Sequence, residues 1–229
     1  MLATLSISVA QTTQAERRVA LVFDDGPIPG QAEAMRELFA REGIVVTFAH
    51  VGQRVQENPK LTRAASEAGH EIVNHSWSHA RIAELDQSAL VDQVRKGHEA
   101  IRSATGSVPG WYWPPYLAVD QRLKDVLAAV PVKIYVPHHL VDSKDWDTAT
   151  SAETLRQRAI TGVRDGSVIL FHEWRKETLE QLPAILVELR SQGCTFHTFS
   201  GLRESLERRP PADAPDPQTQ SMFQPKRAS

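Results

Sequence analysis

Two adjacent carboxylates, Asp24 and Asp25, end the apolar run Val19-Ala-Leu-Val-Phe23 and are followed by Gly26-Pro27. A short apolar run bounded by turn residues reads as a buried strand. Acidic residues at the carboxyl end of such a strand stand where open α/β sheets and barrels place their ligand sites. The bland alternative is an acidic turn without chemistry. His75 and His79 lie four residues apart, which puts both imidazoles on one side of a helical turn or compact loop. Neutral imidazole is a common metal ligand, and two histidines with one carboxylate form a usual catalytic zinc shell that leaves a position open for water. Spacing alone leaves metal ligation and ordinary surface or core histidines both open.

His172 follows the run Ser167-Val-Ile-Leu-Phe171, again at a carboxyl end. In a metal site it is the natural proton donor; alone it is a capping histidine. Asp142-Ser-Lys-Asp145-Trp146 supplies acids able to orient that histidine, or a plain surface turn. Trp113, Tyr116, Trp146 and Leu170 either line an apolar groove or fill the core, the more usual fate of such residues.

The elements that must carry these groups alternate in type. Gln31 to Arg41 has helical spacing and Gly43 after it; Ile44 to Phe48 is strand-like; Asn58-Pro59 opens a helix that Gly69 ends. Glu71 to Asn74 is a short strand leading to His75, and Gln87 to Ala104 is a long amphipathic helix closed by Gly106. Further strands fall at Gly110 to Trp113, Val132 to Val136, Ser167 to Phe171 and Cys194 to Phe199. Helices fall at Val119 to Val130, Ala152 to Ile160 and Lys176 to Gln192. Strands alternating with helices argue for parallel βαβ units, and roughly seven strands point to an α/β fold of distorted (β/α)7-barrel type in a single domain. In such a barrel chemistry gathers on the loops after the strands, where these motifs fall.

The 229 residues give ample length for one such core. A net charge of −2 without a long basic run gives no sign of nucleic acid as a partner. Cys194 is the single cysteine, so a metal must be held by His, Asp or Glu. Residues 1–15 are small, apolar and hydroxyl-rich like part of a secretory signal, with Ser8-Val9-Ala10 or Thr13-Gln14-Ala15 as cleavage sites. They lack a basic n-region, so they are a truncated signal or a disordered leader. The expectation is export, periplasmic or secreted, with a cytoplasmic protein as the alternative. No other stretch is apolar for long enough to span a bilayer. The domain is expected over residues 16–207, and residues 208–229, rich in Pro, Ala, Asp, Gln and Ser, as a disordered tail. The sequence sets no oligomeric state.

Taken together the motifs from Val19 to Phe199 resemble the NodB-homology polysaccharide deacetylases, carbohydrate esterase family 4. The first family motif matches Phe23-Asp24-Asp25-Gly26-Pro27 and the second His75-Ser-Trp-Ser-His79. The fourth matches Asp142-Ser-Lys-Asp145-Trp146 and the fifth Leu170-Phe171-His172. The resemblance implies a divalent metal, zinc first with cobalt or nickel as alternatives, held by Asp25, His75 and His79. It implies Asp24 as general base, His172 as general acid oriented by Asp145, and a backbone N–H near Tyr116 as an oxyanion donor. The implied substrate is an N-acetylated saccharide, chitin-like or peptidoglycan. Two adjacent acids suit that division, because one carboxylate cannot easily be both a firm ligand and a mobile base.

The third motif departs from the family. Where relatives carry Arg-Pro-Pro-Tyr or Arg-x-Pro-Tyr, this chain has Trp113-Pro114-Pro115-Tyr116. The family's arginine steadies the base, and one neutral indole N–H cannot replace a charged fork. Either another basic residue reaches Asp24 or the support is weaker, in which case the pKa of Asp24 rises. Trp113 is also a candidate for stacking on sugar. A catalytically silent carbohydrate-binding domain and a deacylase of small non-sugar substrates are the rival readings.

Overall fold

The computed structural model describes residues 16–130 and 132–225, so the leader reading of residues 1–15 lies outside the described residues. The sheet is built around β1 (Arg17–Gly26), apolar on both faces and buried along most of its length. Successive strand residues point to opposite faces. Val19, Leu21 and Phe23 pack into a core beneath the helices, whereas Ala20 and Val22 belong to a second core on the other face. That second core holds Val73, Trp113, Tyr135, Val168, Leu170 and Phe199, contributed by segments all along the chain, and is the interior of a curled sheet.

One edge of β1 pairs with β7 (Ser167–His172) from Val19 to Asp24. Its other edge pairs first with β8 (Cys194–His197) and then with β2 (Thr47–His50). Beyond β2 come β3 (Glu71–Asn74), β4 (Trp111–Tyr112) and β5 (Lys133–Ile134), while β6 (His139–Asp142) pairs with β7. Every pairing is parallel. The order β5-β4-β3-β2-β1-β7-β6 is the expected distorted (β/α)7 arrangement in one domain, with β8 added beside β1. Among the described residues no ladder joins β5 to β6.

The helices that cover the sheet are α1 (Gln31–Glu42), α2 (Gly52–Glu57), α3 (Pro59–Glu67), α4 (Gln87–Thr105), α5 (Gln121–Ala128), α6 (Ala152–Ile160), α7 (Lys176–Ser191) and α8 (Phe199–Arg208). Their ends follow local chemistry. Asp86 accepts the Ala89 N–H at the start of α4, and Gly106 in a left-handed conformation closes it. Inside α4, Gly97 lets the helix lie directly on the chain around Asn74 and Ser76. At the amino end of β1 the buried Arg18 donates through Nε to Asp165 at 2.9 Å, pairs with it again through a second nitrogen, and donates to Ser205 O at 2.6 Å. Both faces of its charge are therefore satisfied.

The tail corrects the sequence reading, which placed a disordered segment at 208–229. Through residue 225 it is ordered and contains α9 (Pro217–Met222). Asp216 caps that helix and Pro217 opens it, a favourable start. Phe223 behind it is buried in the barrel interior. Composition averages over a segment and does not register a single apolar anchor. The paired His138-His139 docks this tail. His139 Nδ1 lies 3.1 Å from Asp216 Oδ2, and His138 Nε2 lies 3.1 Å from the Asp213 carbonyl.

Two stability outcomes follow. An alanine Cβ at position 97 would meet Asn74 Oδ1 and stand 2.8 Å from the Ser76 carbonyl. Overpacking against backbone costs about 1–3 kcal/mol and outweighs the roughly 1 kcal/mol gained in helix propensity. Gly97→Ala should therefore unfold at a lower temperature in a calorimetric scan. His70 accepts the Val46 N–H through Nδ1 and packs edge-on to Phe39 and Phe48. Burial, with Arg36 second, lowers its pKa from 6.5 to about 4. The neutral ring's contribution is complete above about pH 6.5 and is lost as pH falls toward 4, because the unfolded chain takes up the proton first. Urea unfolding across that window should be flatter in His70→Gln than in the wild type.

Candidate functional site

A regular strand would turn Asp24 and Asp25 to opposite faces. Here the β1–β2 register slips between Asp24 and Gly26, and Asp25 adopts a left-handed conformation at φ 71°. That turns both carboxylates toward one site. The conformation costs a non-glycine residue about 1–2 kcal/mol, so its surroundings must hold it. Arg54 donates to the Asp25 carbonyl, and the Trp174 indole N–H donates to Asp25 Oδ2 at 3.0 Å. Glu173 fixes the turn, accepting the Ile28 N–H at 2.6 Å while its own N–H donates to the Asp24 carbonyl at 2.9 Å. Gly26 makes room for it, since a Cβ there would stand 2.7 Å from the Glu173 carboxyl carbon and 2.8 Å from the His50 ring.

His75 and His79 come from the loop after β3, where Ser76 and His79 are also left-handed. Asp25 Oδ1 lies 3.2 Å from His79 Nε2 and 3.7 Å from His75 Nε2, and one atom from each of the three residues falls within 4.8 Å of the others. The His75 Nδ1–H donates to the Trp113 carbonyl at 2.7 Å, which leaves Nε2 as the bare nitrogen facing the site. That nitrogen is buried without a hydrogen-bond partner. Burial, with His79 next, lowers the His75 pKa to about 3, and burial also lowers that of His79. Burial works to raise the Asp25 pKa, but the facing histidines outweigh it and hold the carboxyl below its ordinary range. Two neutral imidazoles, one oriented through its far nitrogen, beside an ionised carboxylate make a donor set that fits a divalent cation.

Asp24 projects into the barrel interior. Its Oδ2 accepts the Trp113 indole N–H at 3.0 Å, and its Oδ1 has no partner. Burial pushes its pKa well above the usual carboxylate range, against the opposing pull of the His172 charge. Among the described residues no arginine or lysine ion-pairs with Asp24, so the alternative of a relocated basic residue is not met. Trp113 itself takes the place beside the base. It is 0% exposed and does not line the cleft, which corrects its assignment as a sugar-stacking residue. An aromatic in a Pro-flanked strand end reads equally well as groove or core, and here the core wins.

In register with Asp24 on the paired strand stands His172 at the end of β7, its Nδ1–H donating to Asp145 Oδ1 at 2.7 Å. The other Asp145 oxygen accepts the His172 backbone N–H at 2.8 Å and the Thr178 hydroxyl at 2.6 Å. Burial opposes charge on His172, but the Asp145 hydrogen bond and the Asp24 carboxylate outweigh it and raise the pKa to about 9. The structure therefore places a basic, charged imidazole and a reluctant carboxylate side by side in the wall of one cleft. That cleft, of about 470 Å³, is also lined by Tyr116, Trp146 and Leu170. Tyr116 is 51% and Trp146 49% exposed at its lip, while Leu170 lies in its floor. Tyr116 is left-handed at φ 57°, with its ring 4.6 Å from His79 and the Arg81 guanidinium 4.1 Å from its centre. A groove of about 550 Å³ beside the tail contains none of these groups. Sequence reasoning missed Trp174, Arg54 and Glu173, which carry no spacing signal; only the position of Glu173-Trp174 directly after His172 hints at them.

A family model described as polysaccharide deacetylase matches residues 11–135. A peptidoglycan-N-acetylglucosamine deacetylase of Listeria monocytogenes is 30% identical over 199 residues, which cover 86% of this chain and 41% of the relative. The chain thus spans about two fifths of that relative's length. Among solved structures, a family 4 carbohydrate esterase from Streptomyces lividans in complex with acetate superposes with a TM-score of 0.74 at 31% identity, covering 87% of this chain and 98% of the other. A family 4 acetyl xylan esterase from Clostridium thermocellum in complex with a cobalt ion gives 0.75 at 30% identity, covering 83% and 92%.

The ligand set makes a binding prediction independent of turnover. Calorimetric titration with zinc should show one site that His75→Ala removes. Trp174→Phe, which deletes the donor to Asp25 Oδ2, should weaken affinity by about 10–100-fold, the usual effect of losing a group that orients a ligand.

Proposed function

Because the chain belongs to the polysaccharide deacetylase family, we propose that it is a metal-dependent hydrolase removing N-acetyl groups from N-acetylglucosamine-containing saccharide, chitin-like or peptidoglycan. The observation that carries this reading is the division between the two acids. Asp25 Oδ1 faces both imidazoles, while Asp24, whose Oδ2 also comes within 3.6 Å of His75 Nε2, keeps its Oδ1 free of any protein partner with His172 beside it on the paired strand. A divalent cation held by Asp25, His75 and His79, zinc with cobalt or nickel as alternatives, supplies Lewis-acid polarisation of the scissile carbonyl and of water.

This chain's own residues handle the protons. Asp24 Oδ1 accepts a proton from the attacking water as its oxygen bonds to the amide carbon. The raised pKa of Asp24 suits that task, because a base works best when its pKa approaches the working pH. His172, charged through Asp145, delivers its Nε2 proton to the departing nitrogen as the C–N bond breaks, leaving acetate and a free amine. The Tyr116 backbone N–H, presented by its left-handed turn at the lip, is the candidate donor to the oxyanion. Tyr116 and Trp146 supply exposed aromatic faces for sugar rings, and Leu170 an apolar wall for the acetyl methyl group.

Export is part of the proposal, since peptidoglycan lies outside the cell membrane. Among the described residues no helix is long and apolar enough to cross a membrane. The catalytic domain is proposed to run from residue 16 through the tail.

The test is acetate release from N-acetylated chito-oligosaccharide and peptidoglycan fragments with added zinc, with O-acetylated xylan as comparison. Turnover is expected on the amides, with a loss of about 10²–10⁴-fold in kcat for Asp24→Asn and for His172→Ala. Asp24→Asn should leave zinc affinity nearly unchanged. Absence of acetate from every amide with zinc, cobalt and nickel alike would reject the reading.

A further inference from the structure

The barrel has a seam. No strand pairing joins β5 to β6 among the described residues, and the tail lies across that opening. On the β6 side Thr219 Oγ1 accepts the Leu140 N–H at 3.0 Å, Gln220 donates to the Pro137 carbonyl at 2.8 Å, and the Asp216 N–H donates to the His138 carbonyl at 2.9 Å. On the far side Gln224 comes within 3.4 Å of Lys124 on α5. Between these anchors Phe223 enters the interior, with its ring centre 5.5 Å from that of Trp113. Phe199 walls Trp113 at 5.2 Å.

Trp113 is the side chain whose N–H holds Asp24. An arginine fork offers five donors and tolerates some rotation, whereas an indole offers one. The direction of that single N–H is set wholly by the plane of the ring, and the ring plane by what packs against it. We propose that the segment from Pro210 to Pro225 is part of the catalytic scaffold, with Phe223, seated against Trp113 inside the barrel, acting as a positioning residue that keeps the indole N–H on Asp24. The proposal rests on the reading of Asp24 as the general base. Phe223 touches neither substrate nor cation site; it acts through Trp113.

A merely structural role for Phe223 makes a different prediction, so the test is a cycle. Phe223→Ala and the conservative Phe223→Leu are made in the wild type and in Trp113→Phe, which keeps an aromatic wall but has no N–H. Loss of placement by about 1 Å can cost 10²-fold, so Phe223→Ala should lower kcat by about 10–100-fold. KM and zinc affinity should change less than about twofold, and Phe223→Leu should restore most of kcat. In the Trp113→Phe background Phe223→Ala should alter kcat by less than about twofold, since no N–H remains to be placed. Equal losses in both backgrounds, or a loss of thermal stability with kcat intact, overturn the proposal.

A second readout needs no turnover. In indole-¹⁵N-labelled protein the Trp113 N–H resonance, identified by its absence from Trp113→Phe, should shift in Phe223→Ala and stay fixed in Met222→Ala, a change at an exposed tail position. An unmoved resonance in Phe223→Ala overturns the proposal. If the wild type releases no acetate, the reading of Asp24 as base falls on that result, and the resonance still decides whether Phe223 holds the Trp113–Asp24 contact.

Discussion

The site depends on one violation of strand geometry. Adjacent residues of a strand face opposite ways, yet Asp24 and Asp25 must share a site. The slipped register after Asp24 and the left-handed Asp25 achieve this, and much of the surrounding structure exists to keep it so. Arg54 and Trp174 grip Asp25 from both ends of the residue, and Glu173 ties the following turn to β7. Gly26 is glycine because Glu173 and His50 occupy the space a side chain would need. The shared facing of the two acids is thus bought with local strain that a buried network repays.

Burial then sorts the titratable groups. The same desolvation that keeps His75 neutral makes Asp24 reluctant to ionise. At His172 it is overcome, because Asp145 offers one oxygen to the ring and the other to the backbone N–H and Thr178. Of these three, burial prevails at His75 and Asp24, where the far-side partner pulls the other way too weakly, and is overcome only at His172. His75 finds a carbonyl, His172 finds a carboxylate, and Asp24 finds one indole N–H. These second partners fix which atom each side chain turns to the cleft.

Every strand but β6 (His139–Asp142), their parallel pairing and the acid and histidine positions were legible because they rest on local patterns. An apolar run ending in acids, a histidine pair at a fixed spacing and a histidine after a strand each lie within a few residues. What was not legible depends on long-range arrival. Trp113 could be read as groove or core, and the choice falls to Phe199 and Phe223, which reach it from distant parts of the chain. Trp174 follows a strand without any spacing rule that aims its N–H at Asp25. The tail looked unfoldable from composition because Pro, Asp and Gln dominate it. Yet Asp216-Pro217 is a sound helix start, and Thr219, Met222 and Phe223 follow at helical spacing. A search for anchors rather than an average would have found it.

β1 carries a buried charge near each end, and the two are treated oppositely. Arg18 is matched on every side by Asp165 and Ser205, while Asp24 is left with an oxygen facing nothing from the protein. The first arrangement satisfies its charge, and the second leaves an acid oxygen free for the proposed proton transfer. An unsatisfied buried carboxylate lowers the stability of the native state, so this strand stores a deficit at its working end and holds the chain together from the other. Sequence drift that favours robustness alone would erode Asp24 before it touched Arg18. The acid at position 24 thus costs the fold stability at the point where the proposed proton transfer needs it.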